Sequence, residues 1–288
     1  MRPTRRELLG ALALLAACRR HRAGPRVTTV DAGRPARRIV SLVPSATETL
    51  FALGAGDRVV GVSTFCDYPE EATRLPRVGG MVNPSFEAIM TLRPDALVGV
   101  QGPLNRAVID RVEASGVRVL FPRVESVAEV FTSIDAFARL LGEPAAGVAL
   151  KGRIESELGA VRRAVQGRVA PRVVAVYAQR PLVVAGGGSW VEEILTLAGG
   201  RNAIAAARPY PMISLEQFLA AQPEVVLDMT WHEDSGDLAA NLAQYNTLPV
   251  VRDHRIVRIT DPAVVRQGPR IGQAARLVAR ALHPTAGL

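Results

Sequence analysis

Two glutamates recur in matching surroundings. Ser85-Phe86-Glu87 runs without a gap to Pro94-Asp95-Ala96-Leu97-Val98, and Ser214-Leu215-Glu216 runs to Pro223-Glu224-Val225-Val226-Leu227. Each stretch reads as a helix feeding a buried strand. The serine is an N-cap, so the glutamate lies in the first helical turn, where unpaired amides and the helix dipole favour negative charge. A first-turn acid explains each carboxylate by itself. Repeated on two similar halves, the pair would also present two carboxylates on one outer face, as a symmetric partner requires. A chain of similar halves tends to hold its ligand between them.

Other stretches offer surfaces for a ligand rather than groups for a reaction. Pro44-Ser45-Ala46-Thr47-Glu48-Thr49 follows the first strand and opens a helix. Its amides then point to the carboxyl end of a sheet, where open α/β sheets hold ligands; the alternative is a plain capped helix start. Pro44 and Ser45 are therefore candidate ligand contacts. Ser63-Thr64-Phe65-Cys66-Asp67-Tyr68-Pro69 has the same place after the second strand, and its aromatics Phe65 and Tyr68 suit a flat ligand. Trp231-His232-Glu233 follows a strand in the second half, which puts Trp231 in line for the same cleft.

Chemistry beyond binding finds little support. His21, His232, His254 and His283 are scattered, with no spacing suited to a shared metal, so no metal site is expected. Gly186-Gly187-Gly188-Ser189-Trp190 lacks the Gly-Lys-Ser/Thr ending of a phosphate loop, and Lys151 is the only lysine. It reads better as a tight turn into the helix from Ser189 to Ala198. Gly54-Ala55-Gly56 follows a helix rather than a strand and is a helix stop. No Ser/His/Asp arrangement is clustered. No catalytic residue and no cofactor is assigned, and a two-lobed enzyme is the disfavoured alternative.

The elements that position these residues alternate short apolar runs with amphipathic segments, the pattern of an α/β fold. Candidate strands are Arg38 to Val43, Arg58 to Val62, Ala96 to Val100 and Arg118 to Phe121, then Arg172 to Tyr177, Leu182 to Ala185, Val225 to Met229 and Arg255 to Ile259. Their Val, Ile and Leu content with little alternation suits mostly parallel sheets covered on both faces. Between the halves, Ser126 to Leu141 and Pro144 to about Val169 read as consecutive helices. In the second, Leu150, Ile154, Leu158, Val161 and Val165 form one apolar stripe, and Pro144 suits a first turn. This helix is expected to be a rigid spine rather than a flexible linker. The division expected is an N-terminal α/β lobe over 37–141, a spine helix over 142–169 and a C-terminal α/β lobe over 170–288.

With 288 residues, 48% of them hydrophobic, the chain can bury a sizeable core. Its net charge of +8 is not a nucleic-acid signal. Residues 1–17 hold three Arg against one Glu and residues 18–38 seven Arg against one Asp, which accounts for the whole excess and leaves the rest balanced. Arg5-Arg6 followed by the apolar run Leu8 to Ala17 reads as an export signal over 1–17, too short for a membrane span. It resembles a twin-arginine signal, and Leu15-Ala16-Ala17-Cys18 resembles a lipoprotein lipobox. The alternative is an ordinary cleaved signal. Lipid on Cys18 would make 18–36 a basic tether at the membrane surface and leave Cys66 without a disulfide partner; Cys66 reads as a buried small residue rather than a reactive thiol.

Taken as a set, Arg38-Ile39-Val40-Ser41-Leu42-Val43-Pro44-Ser45-Ala46-Thr47-Glu48, Val62 to Pro69, Pro94-Asp95 and Gly268-Pro269-Arg270 resemble the periplasmic substrate-binding proteins of ABC importers for vitamin B12, iron-siderophores and haem. The resemblance runs from about residue 37 to 283. It implies two Rossmann-like α/β lobes with mostly parallel sheets joined by a long backbone helix, and a ligand held between the lobes with little hinge motion. It also implies that a glutamate on each lobe docks against permease arginines, at Glu87 and Glu216. For the vitamin B12 binders it places aromatics at Phe65 and Tyr210 and a ligand-facing loop from Asp261 to Arg266, including Ala263. Where the best-known of these carry tryptophans, this chain has Met81-Val82, Val100-Gln101 and Ala263-Val264-Val265, so stacking on a flat ring is poorer, while Arg266 suits a carboxylate or phosphate. The expected ligand is a corrinoid, delivered to an ABC importer permease in the cell envelope; the alternative is an iron-siderophore or haem. No nucleic-acid partner is expected.

Overall fold

The structure, a computed structural model, describes residues 34–100, 106–204, 206, 208–230 and 236–288. The export signal, Cys18 and Trp231 lie outside the described residues. Strands β1 (Ile39–Ser41), β2 (Val59–Val62), β3 (Ala96–Val98) and β4 (Arg118–Leu120) form a parallel sheet in the order β2-β1-β3-β4. Parallel neighbours need crossovers, supplied here by α1 (Pro44–Ala52), α2 (Glu70–Thr73), α3 (Phe86–Thr91) and α4 (Arg106–Ala114).

The second sheet contains β5 (Arg172–Gln179), β6 (Leu182–Val184), β7 (Arg201–Asn202), β8 (Val225–Asp228) and β9 (Ile256–Arg258). Its parallel part runs β7-β5-β8-β9, the same wiring as the first sheet, and β6 adds an antiparallel edge on the far end of β5. All eight expected strands are present, shifted by one or two residues at their ends. β7 was not anticipated, because Arg201-Asn202 has no apolar run to mark it. The strand order reverses between β1 and β3 and again between β5 and β8, which opens a crevice at the carboxyl end of each sheet.

Two long helices lie between the sheets in sequence. In α5 (Val127–Leu141) the Ser126 side chain accepts from the Glu129 amide, and Gly142 ends the helix at φ 71. In α6 (Pro144–Val165) Pro144 stands in the first turn and the whole stripe from Leu150 to Val165 is buried. With 22 residues it spans about 33 Å. It stops short of the expected Val169, since Gln166 turns extended and Gly167 sits at φ 76. The last helix, α11 (Ile271–Leu282), crosses α6 closely enough that a Cβ at Gly272 would strike the Glu157 side chain. The remaining helices are α7 (Trp190–Leu197), α8 (Leu215–Ala220), α9 (Leu238–Leu242) and α10 (Pro249–Arg252).

Burial explains the weak alternation of the strands. Val173 and Ala175 of β5 face a core that runs without a break through the first sheet, α5, α6, α7 and α11. Val174 and Val176 face a second core with Phe218, Leu238, Leu242 and Val250. A strand packed on both faces has no polar side to alternate with. The first core joins both lobes through the helical spine, so bending between them would have to open close-packed apolar contacts.

Candidate functional site

The loops at the carboxyl ends of the two sheets meet. On the first lobe the loop 63–69 is anchored from beneath. Thr47 donates to Ser41 Oγ at 2.8 Å and lies 3.1 Å from the Cys66 thiol, which lies 3.3 Å from Ser63 Oγ; Cys66 is fully buried, as expected. Arg77 donates to the Ser63 and Cys66 carbonyls at 2.8 and 2.9 Å. With its small residues pinned inward, the loop presents Phe65 (54% exposed) and Tyr68 (47%) outward. Large aromatics left in water at a sheet end are surface available to a ligand.

An ionic cluster joins this loop to the other lobe. Glu48 on α1 is 2% exposed, and its carboxylate accepts two bonds from Arg270, both at 2.8 Å, and one from Arg266 at 3.0 Å. Arg266 also forks onto Asp67, with bonds of 2.6 and 2.9 Å. The Arg266 guanidinium holds the Asp67 carboxyl below its ordinary value, against the opposing effect of partial burial. Arg270 lies over the Tyr68 ring, 4.2 Å from its centroid, and reaches Asp261 at 3.4 Å. Where this cluster crosses from lobe to lobe, Gly268 abuts Ser45 so tightly that a Cβ there would lie 3.3 Å from the serine Cβ.

The second lobe adds Tyr210. Its ring meets Tyr177 edge-on at 5.2 Å, and its hydroxyl faces Tyr177, the Trp190 amide and the Gln267 side chain, so it sits beside the loop that carries Arg266. Burial raises the Tyr210 phenol, and pushes that of Tyr177 well above the usual tyrosine range. Tyr210 is 45% exposed. The turn 186–188 holds this segment in place: the Gly186 amide donates to Pro209 O at 2.9 Å and that of Gly187 to Ala206 O at 2.8 Å. A side chain at 186 would collide with the Arg208 carbonyl. The glycines are there for close backbone approach, in keeping with a turn rather than a phosphate loop.

The expected site residues divide accordingly. Phe65 and Tyr68 stand half-exposed on the loop that Asp67 ties to Arg266, and Tyr210 stands half-exposed beside Gln267. Pro44 is half-buried and Ser45 9% exposed, packed against Gly268, and no side chain caps α1. The loop expected to face the ligand does so only in part. Asp261 is turned to its own backbone, accepting from the Ala263 amide at 2.9 Å and from Gln273 at 2.7 Å, and Ala263 is fully buried, so it offers the cleft no surface. Arg266 is already bound by two carboxylates. Glu48 and Arg270 carried no role in the sequence reading; the only signal was their place in the motifs Pro44 to Thr49 and Gly268-Pro269-Arg270. Glu87 and Glu216 are each exposed in the first turn of their helices. Among the described residues no group of three His, Cys, Asp or Glu could hold a metal, and no helix is long and apolar enough to cross a membrane.

A profile described as periplasmic binding protein matches residues 39–263. A vitamin B12-binding protein of Vibrio parahaemolyticus is 28% identical over 241 residues, covering 83% of this chain and 86% of that protein. One from Vibrio cholerae is 30% identical over 193 residues, covering 67% and 70%. Among solved structures, the periplasmic haem-binding protein BhuT with two haems superposes with a TM-score of 0.77 at 31% identity, covering 87% of this chain and 99% of that one. The vitamin B12 binding protein BtuF of Vibrio cholerae superposes at 0.75 with 26% identity, covering 88% and 99%.

Proposed function

The chain belongs to the periplasmic binding protein family, and from that membership we propose that it is the substrate-binding component of an ABC importer, carrying a corrinoid such as cobalamin or cobinamide between its lobes. The observation that carries the reading is the junction of the carboxyl-end loops, where the loop bearing half-exposed Phe65 and Tyr68 is bonded through Asp67 to Arg266, next to Gln267 at Tyr210. Such a surface binds a broad ring by apolar contact and leaves orientation to a few polar groups. Corrinoid rather than haem is favoured because both junction guanidiniums are already matched by carboxylates, while a corrin rim bears neutral amides. A haem is the second reading, supported by the likeness to BhuT.

Pro44 and Ser45 complete the proposed wall of the cleft; Asp261 and Ala263 support it from behind. Glu87 and Glu216 are the proposed docking groups for the permease, and Cys18 the proposed lipid anchor. The proposed lobes, 37–141 and 170–288, are joined by the spine over 142–169, whose shared core favours capture in a preformed cleft.

Titration calorimetry of the form beginning at Arg19 with cyanocobalamin, cobinamide, haemin and a ferric siderophore tests the ligand. Tight one-to-one binding of a corrinoid is expected; binding of an iron ligand alone would overturn the substrate. For docking, a Glu87→Ala, Glu216→Ala double variant should keep ligand affinity and lose at least about tenfold in permease affinity. Unchanged docking would remove that role.

A further inference from the structure

Glu48 and Asp67 both accept from Nη1 of Arg266, and only one of them is open to a ligand. The Glu48 side chain is 1% exposed and spends its carboxylate on Arg270 and Arg266, so it belongs to the frame. Asp67 is 59% exposed at the side chain, and it stands in the loop that presents Phe65 and Tyr68. A ring resting on those aromatics would bring its rim to Asp67 and, behind it, to Arg266, whose side chain is only 14% exposed.

We propose that Asp67 sets the specificity of the cleft by occupying Arg266, so that rings with a neutral amide rim are accepted and rings bearing carboxylates are disfavoured. This rests on the macrocycle reading above and extends it. Arg266 and Arg270 are bonded to Glu48, Asp67 and Asp261, three carboxylates to two guanidiniums, so the cluster has no surplus cation for an incoming anion. A ligand carboxylate at this rim meets the Asp67 carboxylate or must displace it from a bidentate bond. A ligand amide instead donates to it. The cleft thereby discriminates through repulsion of the wrong ligand as well as attraction of the right one. Arg77 does not supply the missing charge, since its guanidinium is turned to the Ser63, Cys66 and Thr73 carbonyls.

The test compares wild type, Asp67→Asn, Asp67→Ser and the double variant Asp67→Asn, Arg266→Gln, each titrated with dicyanocobinamide, haemin and haemin dimethyl ester. Both Asp67 variants should bind haemin about tenfold more tightly than wild type, on the scale of one charge-assisted bond. The dimethyl ester should show no gain, corrinoid affinity should fall several-fold, and the double variant should lose the gain. A missing haemin gain, or an equal gain for the ester, overturns the role of Asp67 and leaves the importer reading intact. If wild type ignores the corrinoid while the haemin-against-ester difference survives in the Asp67 variants, the corrinoid reading falls and the role of Asp67 stands. Silence of every protein toward every ring overturns both.

Discussion

The two lobes are wired alike and finished differently. The parallel order β2-β1-β3-β4 recurs as β7-β5-β8-β9, and the repeated segment keeps its internal details. Ser85 accepts from the Ala88 amide and Ser214 from that of Gln217. Arg93 and Gln222 both take φ 45 immediately before a proline. The acid after that proline closes the start of the lobe's first strand: Asp95 accepts from the Arg37 and Arg38 amides at 2.8 and 3.2 Å, and Glu224 from that of Arg172 at 2.7 Å. What differs lies outward. On the first lobe Arg111 covers Phe86 at 4.0 Å and reaches Glu87 at 3.7 Å; on the second there is a reciprocal capping box, and Glu216 is held by the Ser214 hydroxyl instead. Backbone groups that must be satisfied are matched in both copies, whereas side chains facing water have diverged.

The strongest way to break the likeness is through the buried residue of each short helix. Phe218→Ala should cost about 4 kcal/mol and Ile89→Ala about 3 kcal/mol in denaturant unfolding. Because Phe218 belongs to the separate outer core and Ile89 to the continuous one, the first should split the transition between probes and the second should keep it single. Coincident transitions in both would mean the two cores unfold as one. A smaller effect lies in the caps. Ser85→Ala and Ser214→Ala should each cost about 1 kcal/mol, since each removes the hydroxyl that accepts from a first-turn amide.

The smallest effects are in acid. The folded-state value of Asp67 is depressed below 3.8, so its stabilisation is present above that pH and is lost as pH falls through the folded value. With its side chain largely in solvent the contribution stays below about 1 kcal/mol. Wild type should therefore lose slightly more stability than Asp67→Asn on acidification below about pH 4, and parallel curves would deny the pairing with Arg266. Glu216 is likewise lowered, first by the Ser214 hydroxyl, so Ser214→Ala should let its carboxyl titrate higher in an NMR pH series.

Much of this was legible along the chain. The duplicated segments, the spine stripe from Leu150 to Val165 and the aromatic loop after β2 are all local patterns, and each appears in the fold. β7 escaped because its two residues pair through the backbone alone. The Glu48 cluster escaped for another reason: Glu48 and Arg266 are 218 residues apart, and neither has a neighbour that announces the other. Ala263 was legible only as part of a loop, and whether that loop turned toward the cleft or the core depended on Asp261 bonding its own turn and on α11 packing behind it.

The order of elements, the repeated halves and the helical spine were determined by the sequence itself, because hydrophobic period, caps and prolines act over a few residues. Tertiary structure decided which charges meet. A guanidinium is neutralised, or left to greet a ligand, by whatever carboxylate the fold carries to within about 3 Å of it. That is why the exposed aromatics of the loop after β2 could be read from the chain, and the pairing of Arg266 with Glu48 and Asp67 only from the packed lobes.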